Sequence, residues 1–234
     1  DFKRIGIWLD FDNPYMTIKN SYIEGAWWAL KKADENKFLY EGLKAMTWCA
    51  RCATALAKHE LVYDEITDES IFVKFKIKGK EDEYLIIWTS TPWTLNFNLA
   101  VMVNPNLDYL KISVDGEKWI VAKALAGIFV NGLLEKEFEI IEEFKGDMLE
   151  GLKYEPPFEY DKDELEDSKY LHAVILSDEY VDATAGTGLV HCAPGCGPED
   201  YEVGKKYGLP AYNTVDENGI FTKGRFSGFT AKKD

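Results

Sequence analysis

The strongest constraint in this chain is a change of period. From about residue 61, apolar residues recur at every second position, and the runs are cut short by turn residues. Ile71, Val73, Phe75 and Ile77 alternate with Phe72, Lys74 and Lys76. Successive side chains on a strand face opposite sides, so this is the pattern of a half-buried strand. Lys78-Gly79-Lys80 turns the chain into a second apolar run, Tyr84 to Trp88. Further strands are expected at Leu99 to Val103, Tyr109 to Val114, Trp119 to Ala122, His172 to Leu176 and Gly188 to His191. Asp115-Gly116 is a strong hairpin signal, because both central residues of the tight turn need positive φ; Asn218-Gly219 reads the same way. Residues 122–134 and 198–207 read as short helices. Many short strands with turn signals predict an α+β, mostly-β fold, a barrel or sandwich with a few helices.

Residues 1–60 follow a different rule. The spacing of Ile23, Ala26, Trp27 and Leu30 predicts a helix over 21–36 with one apolar face. Ser21 and Glu24 fit a capping box at its start, and Asn36 is a plausible stop. Tryptophans on such a face are expected to pack. Beyond the helix, Cys49-Ala50-Arg51-Cys52 reads as half a metal knuckle, and a structural zinc needs four ligands. Cys192 and Cys196 are candidates for the second pair, although their three-residue gap is less typical. Four cysteines in 234 residues do not make a disulfide scaffold. With no apolar core of a signal peptide at Asp1-Phe2-Lys3-Arg4, a reducing cytoplasm is the expected setting. No run of about 18 apolar residues offers a membrane span.

Charge bears on partners. The chain holds 27 Lys+Arg against 41 Asp+Glu, a net −14, and phosphate binding depends mostly on Lys and Arg. Taken alone, this argues against a nucleic-acid partner. The acidity is uneven, however: residues 134–170 carry 14 acids and 5 lysines, or −9, and the rest only −5. That stretch reads as a solvated face or loop, extended around Tyr154-Glu155-Pro156-Pro157-Phe158.

Two segments carry the residue types of a reaction site. Trp88-Thr89-Ser90-Thr91-Pro92-Trp93-Thr94-Leu95 places four hydroxyls directly after an apolar strand that Pro92 would end. Clustered hydroxyls and freed N–H groups there can hold a ribose, an ester carbonyl or a water; they also suit a hydroxyl-rich turn with no ligand. The second segment runs from Gly186 to Tyr201. Two glycines precede a short strand ending in His191-Cys192, a Gly/Pro-rich loop follows, and Glu199-Asp200 opens a helix. Acids in a first helical turn complement the helix dipole, and His191 could equally be a satisfied core histidine. The glycines match neither the GxGxxG fingerprint nor a P-loop.

Together, Trp88 to Leu95 followed by Asn98, and Gly186 to Tyr201, resemble the two signature segments of the editing domain of isoleucyl-tRNA synthetases. Gly6-Ile7-Trp8-Leu9-Asp10-Phe11-Asp12-Asn13-Pro14-Tyr15-Met16-Thr17 resembles the start of the connective peptide in that class I family, and Gly42 through Leu56 its zinc-ribbon segment. The valyl and leucyl relatives typically carry Arg-Pro-Glu/Asp-Thr where this chain has Thr91-Pro92-Trp93-Thr94, and valyl enzymes tend to have Lys at the position of His191. Ser90 departs from the family's all-threonine run but keeps a hydroxyl. The His-Ile-Gly-His and Lys-Met-Ser-Lys-Ser type activation motifs do not occur.

The resemblance implies an insertion domain of a larger enzyme: a connective segment over 1–60 with half a zinc ribbon, and an editing β-barrel over 61–234. It implies hydrolysis of valine from the acceptor end of the isoleucine tRNA, with valyl-adenylate a second substrate and no cofactor required. Zinc at Cys49 and Cys52 would belong to the full-length enzyme, and the partners would be that tRNA and the remainder of the synthetase. Asp200 would bind the substrate's α-ammonium. Thr91 and His191 would bound the amino-acid side chain. Thr89, Ser90 and Asn98 would hold the terminal adenosine, the ester carbonyl or the attacking water, with Trp93 shaping the pocket or simply packing. The resemblance thus marks Asp200, Thr89, Thr91 and His191 as catalytic. No general base is apparent, which leaves a positioned water and the tRNA's own neighbouring hydroxyl. A non-catalytic barrel with a zinc knuckle that docks RNA, and an editing domain for another branched amino acid, are the alternatives.

Overall fold

The computed structural model describes residues 1–67, 69–158, 165 and 168–231. Residues 68, 159–164, 166–167 and 232–234 lie outside the described residues, and with them part of the acidic stretch. Among the described residues no helix is long and apolar enough to cross a membrane. The chain divides into two compact units, Asp1–Leu43 and Lys44–Asp234.

The first unit contains helix α1, Asn20–Glu35. It starts one residue earlier than the sequence pattern implied, so Ser21 falls inside the first turn. Lys19 stands at the N-cap and makes no side-chain cap, and the expected Ser21–Glu24 box does not form. The stop at Asn36 does form: its side-chain amide and its backbone N–H both donate to the Lys32 carbonyl, at 2.7 and 3.2 Å. No residue of α1 is buried, and Trp27 on the apolar stripe is 67% exposed.

The second unit begins with a two-stranded ribbon, β1 (Trp48–Cys49) and β2 (Thr54–Ala55). The sequence pattern put a boundary near residue 60. The compact units instead divide after Leu43, and the ribbon belongs with the C-terminal segment, where the Trp48 indole donates to the Glu217 carbonyl at 2.8 Å.

Then follow β3 (Ile71–Lys76), β4 (Glu83–Thr89), β5 (Ala100–Val103), β6 (Asp108–Val114) and β7 (Glu117–Ala122). Helix α2 (Lys123–Ala126) continues as a π-helical stretch over Gly127–Leu133. Strands β8 (Glu139–Lys145), β9 (Ala173–Leu176) and β10 (Leu189–Cys192) and helix α3 (Pro198–Lys206) complete the unit.

The α+β, mostly-β class stands, but the strands do not close into one barrel. They form a five-stranded sheet in the order β3-β4-β7-β6-β8 and a three-stranded sheet in the order β10-β5-β9. Pairing is antiparallel except between β4 and β7 and between β5 and β9.

Alternation along the strands builds three layers. Leu85 and Ile87 of β4, Val101 and Val103 of β5, Ile120 and Leu189 share a core between the sheets. Ile86, Leu110 and Val121 face the other way, onto Phe129 and Val130 of the π-helical stretch. Ala100, Met102 and Cys192 pack with Val203 of α3. Residues opposite one another in an antiparallel pair share a face, so His191, opposite Val101, points between the sheets, while Cys192, opposite Ala100, points toward α3.

The Gly186-Thr187-Gly188 segment staples the sheets together. The Thr187 hydroxyl donates to Ile86 O at 2.6 Å, its carbonyl accepts the Ala122 N–H at 2.8 Å, and Tyr109 OH donates to Gly188 O at 2.8 Å. Both glycines have φ above +70°, and a Cβ on Gly188 would overlap the Ala122 side chain.

Candidate functional site

Strand β4 ends at Thr89, and Pro92 opens a 3₁₀ turn over Pro92–Phe97, as a residue with fixed φ and no N–H should. Thr89 is buried and folds the following residues back onto itself. Its hydroxyl accepts the Thr91 N–H at 3.1 Å and lies 3.4 Å from the Thr91 hydroxyl. Ser90 and Thr91 are exposed at the rim. Thr94, inside the turn, is buried; its Oγ1 sits 2.8 Å from Thr91 O and 2.9 Å from His191 Nε2. Thr89, Thr91, Thr94 and His191 therefore form one hydrogen-bonded chain across 97 residues of sequence at its widest link.

His191 is 6% exposed, and burial pushes its imidazole down to about 4, so it is neutral at physiological pH. Its Nδ1 has no hydrogen-bond partner among the described residues.

Asp200 lies in the first turn of α3, after Gly197 and Pro198. Its carboxylate accepts the Ala193 N–H at 3.3 Å, just past the end of β10. A Cβ on Gly197 would stand 3.2 Å from the same carboxylate, so glycine keeps that approach open. Burial raises Asp200 to about 6; the Ala193 N–H opposes the shift, and the Glu199 charge adds to it. The loop between them is held by Cys196 N–H to Ala193 O at 2.8 Å and by Asn213 Nδ2 to Gly195 O at 2.9 Å.

Asn98 and Trp93 occupy different surroundings. Asn98 is buried with both ends of its amide engaged: Nδ2 donates to Ala100 O at 2.8 Å, and Oδ1 accepts Tyr154 OH at 2.5 Å. Trp93 packs edge-on against Phe97 and lines a cleft of about 1040 Å³ with Trp48, Cys49, Arg51 and Cys196. Thr89, Thr91, His191 and Asp200 are not among the residues lining that cleft.

Cys49 and Cys52, whose spacing suggested half a metal knuckle, are free cysteines of the β1–β2 ribbon and its turn. The Cys52 backbone N–H, and then its thiol, hold the Cys49 thiol below its usual range. Among the described residues no group of three His, Cys, Asp or Glu could hold a metal ion, so the residues present do not fit a closed zinc site. Burial, and then the Asp200 charge, push the Cys192 and Cys196 thiols up, and Cys192 packs in the core against α3.

Sequence reasoning gave no role to Thr94 or to the Ala193 N–H. The first lay within the hydroxyl cluster itself. The second is a backbone group that no side-chain pattern marks.

The arrangement combines a carboxylate at a helix start, a neutral histidine set in a hydroxyl chain, and exposed rim hydroxyls. A half-desolvated carboxylate favours a cationic ligand, because an ammonium restores the interactions that burial removed. A neutral imidazole at about 4 is a weak base at pH 7 and a poor acid.

A sequence model of the tRNA synthetases class I (I, L, M and V) matches residues 1–214. Isoleucine–tRNA ligase of Pyrococcus furiosus is 50% identical over 99% of this chain, which covers 22% of that protein. The isoleucine–tRNA ligase of Methanothermobacter marburgensis is 47% identical, again over 99% of this chain and 21% of its own length. The chain thus spans about a fifth of the curated relatives it matches. The crystal structure of GlLeuRS-CP1 superposes with a TM-score of 0.54 at 16% identity, covering 70% of this chain and 90% of that one. At that identity the likeness is one of fold.

Proposed function

Because the chain belongs to the tRNA synthetases class I (I, L, M and V), we propose that it is an editing module that hydrolyses valine from mischarged isoleucine tRNA. Asp200 is the observation that carries this reading: a carboxylate raised to about 6 that accepts the Ala193 N–H, at the end of the strand that bears His191. Such a group binds the α-ammonium of an aminoacyl ester. His191 and Thr91 bound the side chain, and Thr89 and Ser90 hold the terminal ribose and ester. Asn98, tied to Ala100 and Tyr154, acts by fixing the start of β5.

In the reaction, water attacks the ester carbonyl carbon, the bond to the ribose oxygen breaks, and valine and a free tRNA hydroxyl leave. With His191 neutral and Asp200 engaged by the ammonium, the neighbouring ribose hydroxyl assists the water. No step passes through a metal. One extra methylene is worth only about 10- to 200-fold in a binding pocket, so a second, hydrolytic sieve adds the missing discrimination. The setting is cytoplasmic, and the partners are the tRNA acceptor end and the remainder of a synthetase.

The test is deacylation of Val-, Thr- and Ile-tRNA by this chain, with a Val-tRNA lacking the neighbouring ribose hydroxyl as a fourth substrate. Fast hydrolysis of Val-tRNA, little of Ile-tRNA and a slowed fourth substrate are expected. Equal rates on Val- and Ile-tRNA would refute the sieve, an undiminished fourth would refute the assisted water, and no hydrolysis would refute the activity.

A further inference from the structure

Thr94 is the buried member of the hydroxyl cluster with no part in the proposed reaction. It is 6% exposed, and its single hydroxyl lies between two groups, Thr91 O at 2.8 Å and His191 Nε2 at 2.9 Å. A hydroxyl has one proton and can donate it once. If the proton goes to Thr91 O, the hydroxyl accepts from His191 Nε2–H, and Nδ1 is left as a bare lone pair. If the proton goes to Nε2 instead, Nδ1 must carry the ring hydrogen. That N–H would then be buried with no acceptor among the described residues. Orphaned buried N–H groups are rarer than under-used acceptors, so the first arrangement is favoured.

We infer that Thr94 is a positioning residue that locks His191 as the Nε2–H tautomer and pins the ring against the 3₁₀ turn. The consequence for specificity rests on the editing reading above. A ring held at one nitrogen by a buried hydroxyl is a rigid wall, and the same ring released can turn and admit one more methylene. Thr94 therefore sets the size limit without touching the substrate. The neutral state of His191, a result of its burial, is what makes the tautomer meaningful at pH 7. Nδ1 is left as an open acceptor.

Imidazole ¹⁵N NMR of the chain tests the lock directly, since only three histidines, His59, His172 and His191, contribute signals. His191 should show a protonated Nε2 and a bare Nδ1 at pH 7. Thr94→Val, which keeps the shape and removes the hydroxyl, should give a mixture of tautomers and lower the Val-over-Ile deacylation ratio about tenfold. Thr94→Ser should restore the single tautomer and the ratio. A protonated Nδ1 in the unaltered chain, or a tautomer unchanged in T94V, would overturn the inference. If the unaltered chain hydrolyses no aminoacyl-tRNA, the editing reading fails. An Nε2–H signal lost in T94V and regained in T94S would still support the positioning role.

Discussion

Asp200 is where a single residue decides both reactivity and cost. Its carboxyl moves from an ordinary 3.8 to about 6 on burial. The folded state thus holds this proton more tightly than the unfolded state does. The associated stability is fully present below pH 4 and is lost as pH rises through 6. At pH 7 the ionised carboxylate costs about 2 kcal/mol, after discounting for its partial exposure. Asp200→Asn should therefore raise the midpoint of urea unfolding at pH 7, by an amount that shrinks to nothing near pH 4. The same substitution, like Asp200→Ala, should abolish Val-tRNA hydrolysis with the fold intact; full activity in either would remove Asp200 from the site. Only the charged form binds an ammonium, so kcat/KM should fall about tenfold per pH unit below 6. The limb in kcat should lie lower, because the bound ammonium pulls the carboxyl back down. His191, at about 4, cannot produce the upper limb. At this scale the sequence pointed to Thr89, Thr91, Asn98, His191 and Asp200 through their resemblance to family signatures, and the structure joins Thr89, Thr91 and His191 in one hydrogen-bonded chain. The bond from Tyr154 to Asn98 was not legible, because the two lie 56 residues apart and no local pattern announces that pairing.

At the scale of elements, legibility follows how local the cause is. The Asp115-Gly116 turn was readable because positive φ at both positions, +51° and +88°, is a two-residue requirement. Strand β8 was not readable. Glu-Ile-Ile-Glu-Glu-Phe-Lys has no period of two, and the strand forms at the sheet edge beside β6, with Glu142 and Glu143 paired to Lys111 and Lys123. A segment expected to be a solvated face or loop is thus partly a sheet edge neutralised from neighbouring elements. The Gly186-Thr187-Gly188 segment was read as chemistry and turns out to join the sheets. Gly188→Ala sets a Cβ against Ala122 at a φ of +75°, which L side chains rarely adopt. It should destabilise the chain by about 2–4 kcal/mol in denaturant unfolding. A loss below about 0.5 kcal/mol would show that the sheets tolerate separation there.

For the whole molecule, the net charge of −14 is compatible with a tRNA substrate only if affinity is weak. Nine of those charges fall in residues 134–170, outside both hydroxyl and histidine segments. With few cations to displace phosphate counterions, the isolated chain should bind tRNA with a Kd weaker than about 1 μM at physiological salt and with a shallow salt slope. Nanomolar binding by filter assay or fluorescence anisotropy would contradict this.

The bond between Thr94 and His191 also has a temporal meaning. Its two ends are separated by 97 residues, and β4 and β5, which flank the first end, reach β7 and β9 by parallel pairings that require crossovers. Contacts of such separation carry a loop-closure cost that must be met before they form, which slows folding. During synthesis the threonine turn leaves the ribosome long before the histidine strand exists to meet it. The site proposed above is therefore expected to be inert on any nascent chain shorter than about α3, and any activity it has to mark completion of the fold.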